Sequence, residues 1–287
     1  MIKYIKALSL DEMGSILQQA TENTFYLAGG TDLVVGLRST SLENLCLVDI
    51  SAIEYLRSIS EDESFIYIGA TVTMTEMSKS ALIKKYCPAL AQAASVMGSV
   101  QVRNRATVGG NIMNAAQCSD TLPCLYAYDA VLSVLTSSGE CYEKPIRELV
   151  TGICKTTIPK NEIVLHIKIR KRMTMSGFAK IGARKRVTIS KLNGCILIEP
   201  EKQNNIVTIY LGAVGVKPTR ATLLETCIEH EWKTMTGQRM TLNETIKRIA
   251  QAQIEEAIPT RSSKYYKRVA IFGLLDTIFE QLERVRI

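Results

Sequence analysis

The sequence is short of the residues from which several kinds of enzyme are built. It has two histidines in 287 residues, His166 and His230. His166 lies in an apolar, strand-like run and His230 in a polar Glu-His-Glu stretch; neither neighbours a nucleophile motif. G-x-S-x-G is absent, which disfavours acyl transfer. The eight cysteines are scattered, with no C-x-x-C pair, so the chain offers no zinc or iron–sulfur site of its own. Their expected role is that of small buried apolar residues rather than disulfides. G-x-G-x-x-G and G-x-x-x-x-G-K-[ST] are also missing, which argues against a Rossmann site and a P-loop. No apolar run approaches the roughly 20 residues that cross a bilayer. The opening MIKYIKALSLDEMGS has no signal-peptide core or cleavage site, so the expected location is the cytoplasm. There is no low-complexity linker and no obvious repeat.

What is present is an ordinary globular composition, 46% hydrophobic and 22% charged, with a formal charge of +7. The surplus suits an acidic partner or a polyanion. Ser9-Leu-Asp-Glu12, Thr73-Met-Thr-Glu76 and Thr241-Leu-Asn-Glu244 read as capping boxes that open helices. Strands are expected near Thr24–Ala28, Leu45–Ile50, Phe65–Ala70 and Glu162–Ile169. Helices are expected over Pro88–Gly98 and within SDTLPCLYAYDA, and a hairpin should turn at Ser137–Gly139. After about Lys171 the texture becomes that of an antiparallel sheet, turning at Glu201–Asn205, and from Ala221 it becomes helical. The last helix, about Ser263–Arg284, should bury Val269, Phe272, Leu275, Ile278, Phe279 and Leu282. The division read from this pattern is 1–172, with subdomains of about 1–55 and 56–172, followed by 173–287.

Two double glycines carry the most information. Gly29-Gly30-Thr31-Asp32 follows a strand, and Leu33, Val34 and Val35 should then return to the core. Thr107-Val108-Gly109-Gly110-Asn111 repeats the pattern, with a hydroxyl before and a carboxamide after. Lacking a Cβ, glycine lets the backbone approach a ligand and take positive φ, and successive amides in such a turn form an anion-binding concavity. Both motifs are expected to face one diphosphate, held by neutral amides rather than by a lysine.

LAGGTDLVVGLR and QVRNRATVGGNIMNAAQCSD closely resemble the two flavin-binding motifs of the FAD subunits of molybdenum hydroxylases, such as bacterial xanthine dehydrogenases and carbon monoxide dehydrogenase. FAKIGARKRVTIS, LGAVGVKPTRA and IPTRSSKYYKRVA resemble later blocks of the same family, so the likeness covers nearly the whole chain. The resemblance implies an α+β chain: a two-subdomain FAD-binding fold of the vanillyl-alcohol-oxidase/MurB type, then an antiparallel sheet with helices. It implies that Leu27, Ala28, Gly29, Gly30, Thr31, Asp32 and Leu33, with Thr107, Val108, Gly109, Gly110 and Asn111, cradle the diphosphate and neighbouring groups. Asp120 matches an acid near the ribityl or ribose, Lys180 a lysine close to the flavin, and the Val164–Leu165 strand edge should approach the ring. The segment Ala116-Gln117-Cys118-Ser119-Asp120 departs from the ASPAGD-like form common in the family, which implies a differently shaped loop before the acid.

The resemblance further implies a three-part enzyme. A large subunit holds the molybdenum cofactor and a small subunit carries two [2Fe–2S] clusters. This chain takes electrons from the nearer cluster and passes them to NAD or another acceptor. Purines and related N-heterocycles are the expected substrates. From Ile163 to Ile198 there are nine Lys or Arg and no Asp or Glu. Lys180, with Arg184, Lys185 and Arg186, is a candidate for fixed positive charge that raises the flavin potential. The run is read as facing an acidic partner or NAD's phosphates rather than nucleic acid, because its aromatics do not interleave with its cations. The competing readings are an FAD-free scaffold of the same fold and a MurB-like reductase.

Overall fold

The computed structural model describes residues 2–39, 43–234 and 240–285. The chain divides into two compact units, each assembled from three pieces of sequence.

The first unit comprises Met1–Met77, Ser99–Ala115 and Asp129–Arg170. Its parallel sheet has the order Lys3–Lys6, Cys46–Asp49, Thr24–Leu27, so the strand that leads into the first glycine motif lies at the edge. The helix Leu10–Gln18 buries Met13 and Leu17 beside Val48, Ile50 and Ile53. Ser9 accepts from Glu12 N at 3.2 Å, while Glu12 reaches back one residue further than a strict box, to Leu8 N at 2.7 Å.

A five-stranded antiparallel sheet follows, in the order Ile59–Glu61, Phe65–Gly69, Glu162–Arg170, Val131–Thr136, Cys141–Pro145. Period-2 alternation sends Ile66, Ile68, Ile167 and Ile169 into the core. The hairpin turns where expected, with Gly139 at φ +85°. Thr73 caps Met74–Lys79 as a full capping box: Glu76 N donates to its hydroxyl, and Thr73 N donates to the Glu76 carboxylate.

The second unit comprises Ser78–Gly98, Ala116–Tyr128 and Lys171–Ile287. Four antiparallel strands, Met175–Gly182, Ser190–Ile198, Val207–Gly212 and Thr219–Arg220, pair in chain order. Thr222–Thr234, Glu244–Ala257 and Lys264–Val285 share an apolar core with them. The earlier helices Pro88–Val96 and Thr121–Ala127 pack on the same strands. Ala89 N donates to Ser176 Oγ at 3.2 Å, and Phe178 N donates to Gln92 Oε1 at 2.9 Å.

Three expectations are corrected here. The Glu244–Ala257 helix is capped by Asn243, whose carboxamide oxygen accepts from Ile246 N at 2.8 Å; Thr241 lies outside it. Val269 points to solvent, because the buried stripe of the last helix runs through Ile271, Leu274, Leu275, Ile278 and Leu282. Cys87, Cys124 and Cys195 are buried as expected, but Cys141 and Cys154 are exposed. Among the described residues no helix is long and apolar enough to cross a membrane.

Candidate functional site

The strand Thr24–Leu27 stops at the first double glycine, and Leu33–Leu37 forms a short helix beyond it. Gly30 has φ +73°, a conformation natural to glycine and strained for other residues. A Cβ on Gly29 would stand 2.0 Å from the Arg105 carbonyl oxygen. Only glycine lets this segment lie against Arg105-Ala106, just ahead of Thr107, so the two motifs meet although about eighty positions separate them. The amides of Gly29, Gly30, Thr31, Asp32 and Leu33 donate to no acceptor among the described residues. The carbonyls face the other way: Gly30 O accepts from Val34 N and Asp32 O from Gly36 N. Thr31 Oγ1 donates to Asp32 Oδ2 at 3.2 Å. Leu33, Val34 and Val35 do not return to the core; the helix buries none of its residues.

The second motif is built differently. Thr107 is the N-cap of a helix, Val108–Asn114, with its hydroxyl accepting from Gly110 N at 3.2 Å. The remaining amides are engaged too: Val108 N to Val72 O at 3.0 Å, Gly109 N to Ala70 O at 2.8 Å, and Asn111 N to Thr107 O at 2.9 Å. Neither glycine takes positive φ. Gly109 is required for contact instead, since a Cβ there would lie 2.7 Å from Ala70 O. Ala70 N in turn donates to Leu165 O at 2.9 Å, beside a register irregularity between Val164 and His166. The first unit thus gathers both glycine motifs, Ala70 and Val164–Leu165 into one connected set, although Val164 and Leu165 lie on the central strand of the five-stranded sheet and not at the expected edge. His166, on that strand, meets the rings of Tyr55 and Tyr67 edge-on, and burial pushes its pKa below the usual value.

Asp120 and Lys180 lie in the second unit and touch: Lys180 Nζ donates to Asp120 Oδ2 at 2.7 Å, both side chains nearly buried. The other carboxylate oxygen accepts from Ser190 Oγ at 2.6 Å and Asn193 Nδ2 at 2.9 Å. Lys180, Asn193 and Gly212 sit side by side on three adjacent strands. A Cβ on Gly212 would stand 2.0 Å from Asn193 Oδ1, an oxygen left without a partner among the described residues. Removing one member of a buried pair strands the other charge, at about 3–5 kcal/mol. Lys180 is therefore no free cation, because a carboxylate matches its charge. The basic run is broken up in the same way, with Lys168 on Glu143 and Arg172 on Glu199, while Arg184, Lys185 and Arg186 stay exposed.

Arg105, Ala70, Ser190 and Asn193 were invisible as site residues in the sequence. Each acts through a carbonyl, a missing clash or a partner some thirty-five to seventy-five positions away, and none leaves a local signal.

Residues 1–171 match the family described as the FAD binding domain in molybdopterin dehydrogenase. The chain belongs to that family. It is similar to the nicotinate dehydrogenase FAD-subunit of Eubacterium barkeri, 26% identical over 96% of this chain and 95% of that one. It is similar to the xanthine dehydrogenase FAD-binding subunit of Escherichia coli O157:H7, 28% identical over 84% of this chain and 82% of that one. Among solved structures, a chain of carbon monoxide dehydrogenase from Hydrogenophaga pseudoflava superposes with a TM-score of 0.80 at 23% identity, covering 99% of this chain and 97% of the other. A chain of quinoline 2-oxidoreductase from Pseudomonas putida 86 gives 0.81 at 18%, over the same shares. This FAD-binding family member therefore has the expected α+β architecture, a vanillyl-alcohol-oxidase/MurB-type FAD-binding fold followed by an antiparallel sheet with helices, matched along essentially its whole length, and is an oxidoreductase subunit.

Proposed function

We propose that this chain is the electron-transferring FAD subunit of a molybdenum-dependent hydroxylase. In that reading, a large subunit holds the molybdenum cofactor and a small subunit holds [2Fe–2S] clusters. FAD held by this chain would supply redox chemistry able to link those clusters to NAD or another acceptor. An N-heterocycle is the favoured substrate class, as with the nicotinate and xanthine dehydrogenases that the chain resembles.

The observation that carries the reading is the run of five unengaged amides from Gly29 to Leu33, around a glycine in the left-handed region. Such a run suits a diphosphate, which needs several donors at close range and no Cβ in the way. FAD fits this chain on that ground. Leu27, Ala28 and Thr31 would line the same cradle, with Asp32 at its far end. Thr107 to Asn111 hold the cradle in place, because their amides are already used within the protein. Val164 lies on the central strand tied to that support. Within the second unit, Ser190 and Asn193 hold Asp120 with one carboxylate oxygen on Lys180, so the two form a neutral dipole whose carboxylate can accept from hydroxyl groups.

Purification of the full chain, with visible absorbance read against protein concentration, tests the proposal. Flavin near one per chain is expected. A chain that stays colourless after incubation with FAD supports the scaffold reading instead.

A further inference from the structure

We propose that the hairpin tip between Met175–Gly182 and Ser190–Ile198, with the first turns of Lys264–Val285, is a docking face for a small acidic electron-carrying protein. Only the words "electron-carrying" rest on the function proposed above; the face itself rests on the surface of the second unit.

Three observations carry it. The first is apolar exposure where folding gains nothing from it. Ile189 is 76% exposed, Tyr265 68% and Val269 64%. Ile189 and Lys191 flank the buried Ser190 where the hairpin register shifts and both are exposed, and Lys191 Nζ lies 5.3 Å from the centroid of the Tyr266 ring, which joins hairpin and helix. Apolar groups ringed by cations mark a protein-binding surface more than a solvated face.

The second is charge. Arg184, Lys185, Arg186 and Lys191 are all exposed, and no Asp or Glu occurs from Ile181 to Ile198 or from Pro259 to Leu275. Three basic residues of the helix have partners of their own: Lys264 Nζ donates to Pro259 O, Lys267 Nζ donates to Ala213 O, and Arg268 pairs with Glu255. A ring of one sign around an apolar centre complements a partner of the opposite sign.

The third is the build of the tip. Val187 is held at φ +49°, an outlier for a β-branched residue. Arg184 Nε donates to Val187 O at 2.7 Å and Ala183 N to Thr188 Oγ1 at 3.1 Å, so the tip is pre-shaped. The same tip supports the buried pair, since Lys180 Nζ also points to Thr188 O at 3.4 Å and Ser190 binds Asp120. A protein seated here lies next to the Lys180–Asp120 pair. Nucleotide phosphates would use the cations but leave Ile189 and Val269 uncovered.

The test is calorimetric titration of the full chain with an acidic [2Fe–2S] ferredoxin as the probe, at low and at high salt. Saturable binding that weakens about tenfold or more across that salt range is expected. Ile189→Glu and the double variant Lys185→Glu/Arg186→Glu should each weaken it by about tenfold, whereas Lys155→Glu, on the first unit, should leave it unchanged. These positions are exposed, and unaltered circular dichroism will show that the variants fold. The proposal is overturned by absence of saturable binding, by variants that bind like the parent, or by NADPH or duplex DNA competing as well as ferredoxin. Flavin absorbance on the same samples judges the earlier reading separately: a colourless chain that still binds ferredoxin in this pattern keeps the dock and loses the flavin.

Discussion

The two double-glycine motifs look interchangeable as text and are opposites as structures. Gly29-Gly30 ends a strand, turns through a left-handed residue and leaves five amides without acceptors among the described residues. Gly109-Gly110 begins a helix, avoids positive φ and has every amide from Val108 to Asn111 engaged. In the function proposed above, the first motif is open to an anion and the second is the clamp that keeps it open. Glycine serves different ends in the two places: backbone conformation at Gly30, and close approach at Gly29 and Gly109.

That contrast can be broken by substitution. The largest effect is expected for Gly29→Ala, whose Cβ would drive the first motif off Arg105. We expect roughly 3 kcal/mol of lost stability together with loss of flavin, read by urea unfolding and by visible absorbance. Gly109→Ala, with its clash at Ala70, should cost roughly 2 kcal/mol but lower flavin content only as far as it lowers the folded fraction. If that variant is fully folded and colourless, the second motif is a direct ligand and the contrast fails. Thr107→Ala removes the cap to Gly110 N and should cost about 1 kcal/mol, with Thr107→Ser restoring it. A cap that can be deleted without cost would mean that the clamp is held elsewhere.

The smallest effect is a pH dependence confined to the clamp side. Burial lowers the His166 pKa, so the folded chain binds its proton later on acidification than the unfolded chain does. Between the two values the unfolded state holds more protons. Stability therefore falls as the pH drops through the ordinary histidine range and levels off below the folded value. Thermal melts at neutral and mildly acidic pH should show a small decrease that His166→Phe flattens. A rise in stability on acidification would mean that Glu143, which favours the charged ring, outweighs burial.

Much of this was legible beforehand, for reasons of local chemistry. Thr73 and Glu76 cap a helix because both ends of the box are within reach of each other, and Gly139 turns a hairpin because the turn needs a left-handed residue. The misreadings come from competition. Asn243 displaced Thr241 as a cap, both being good acceptors. In the last helix, counting from Val269 in steps of three rotates the stripe away from the true face, which follows Ile271, Leu274, Leu275 and Ile278. The second glycine motif looked like a loop because glycine disfavours helix, yet the Ala70 and Val72 carbonyls outweighed that preference. Asn193 and Ser190 gave no sign, since their value depends on an aspartate some seventy positions away.

The interleaving of the two units bears on how the chain is made. Pro88–Val96 and Thr121–Ala127 leave the ribosome well before the strands Met175–Gly182 and Val207–Gly212 on which they pack. At about 5–20 residues per second, the later of these helices waits roughly 4–20 seconds for its sheet. During that interval Leu90, Leu122 and Leu125 have no native surface to cover them. Nascent chains of this protein should consequently lean on chaperones, and a version cut after residue 171 should emerge as aggregate rather than as a small soluble flavoprotein.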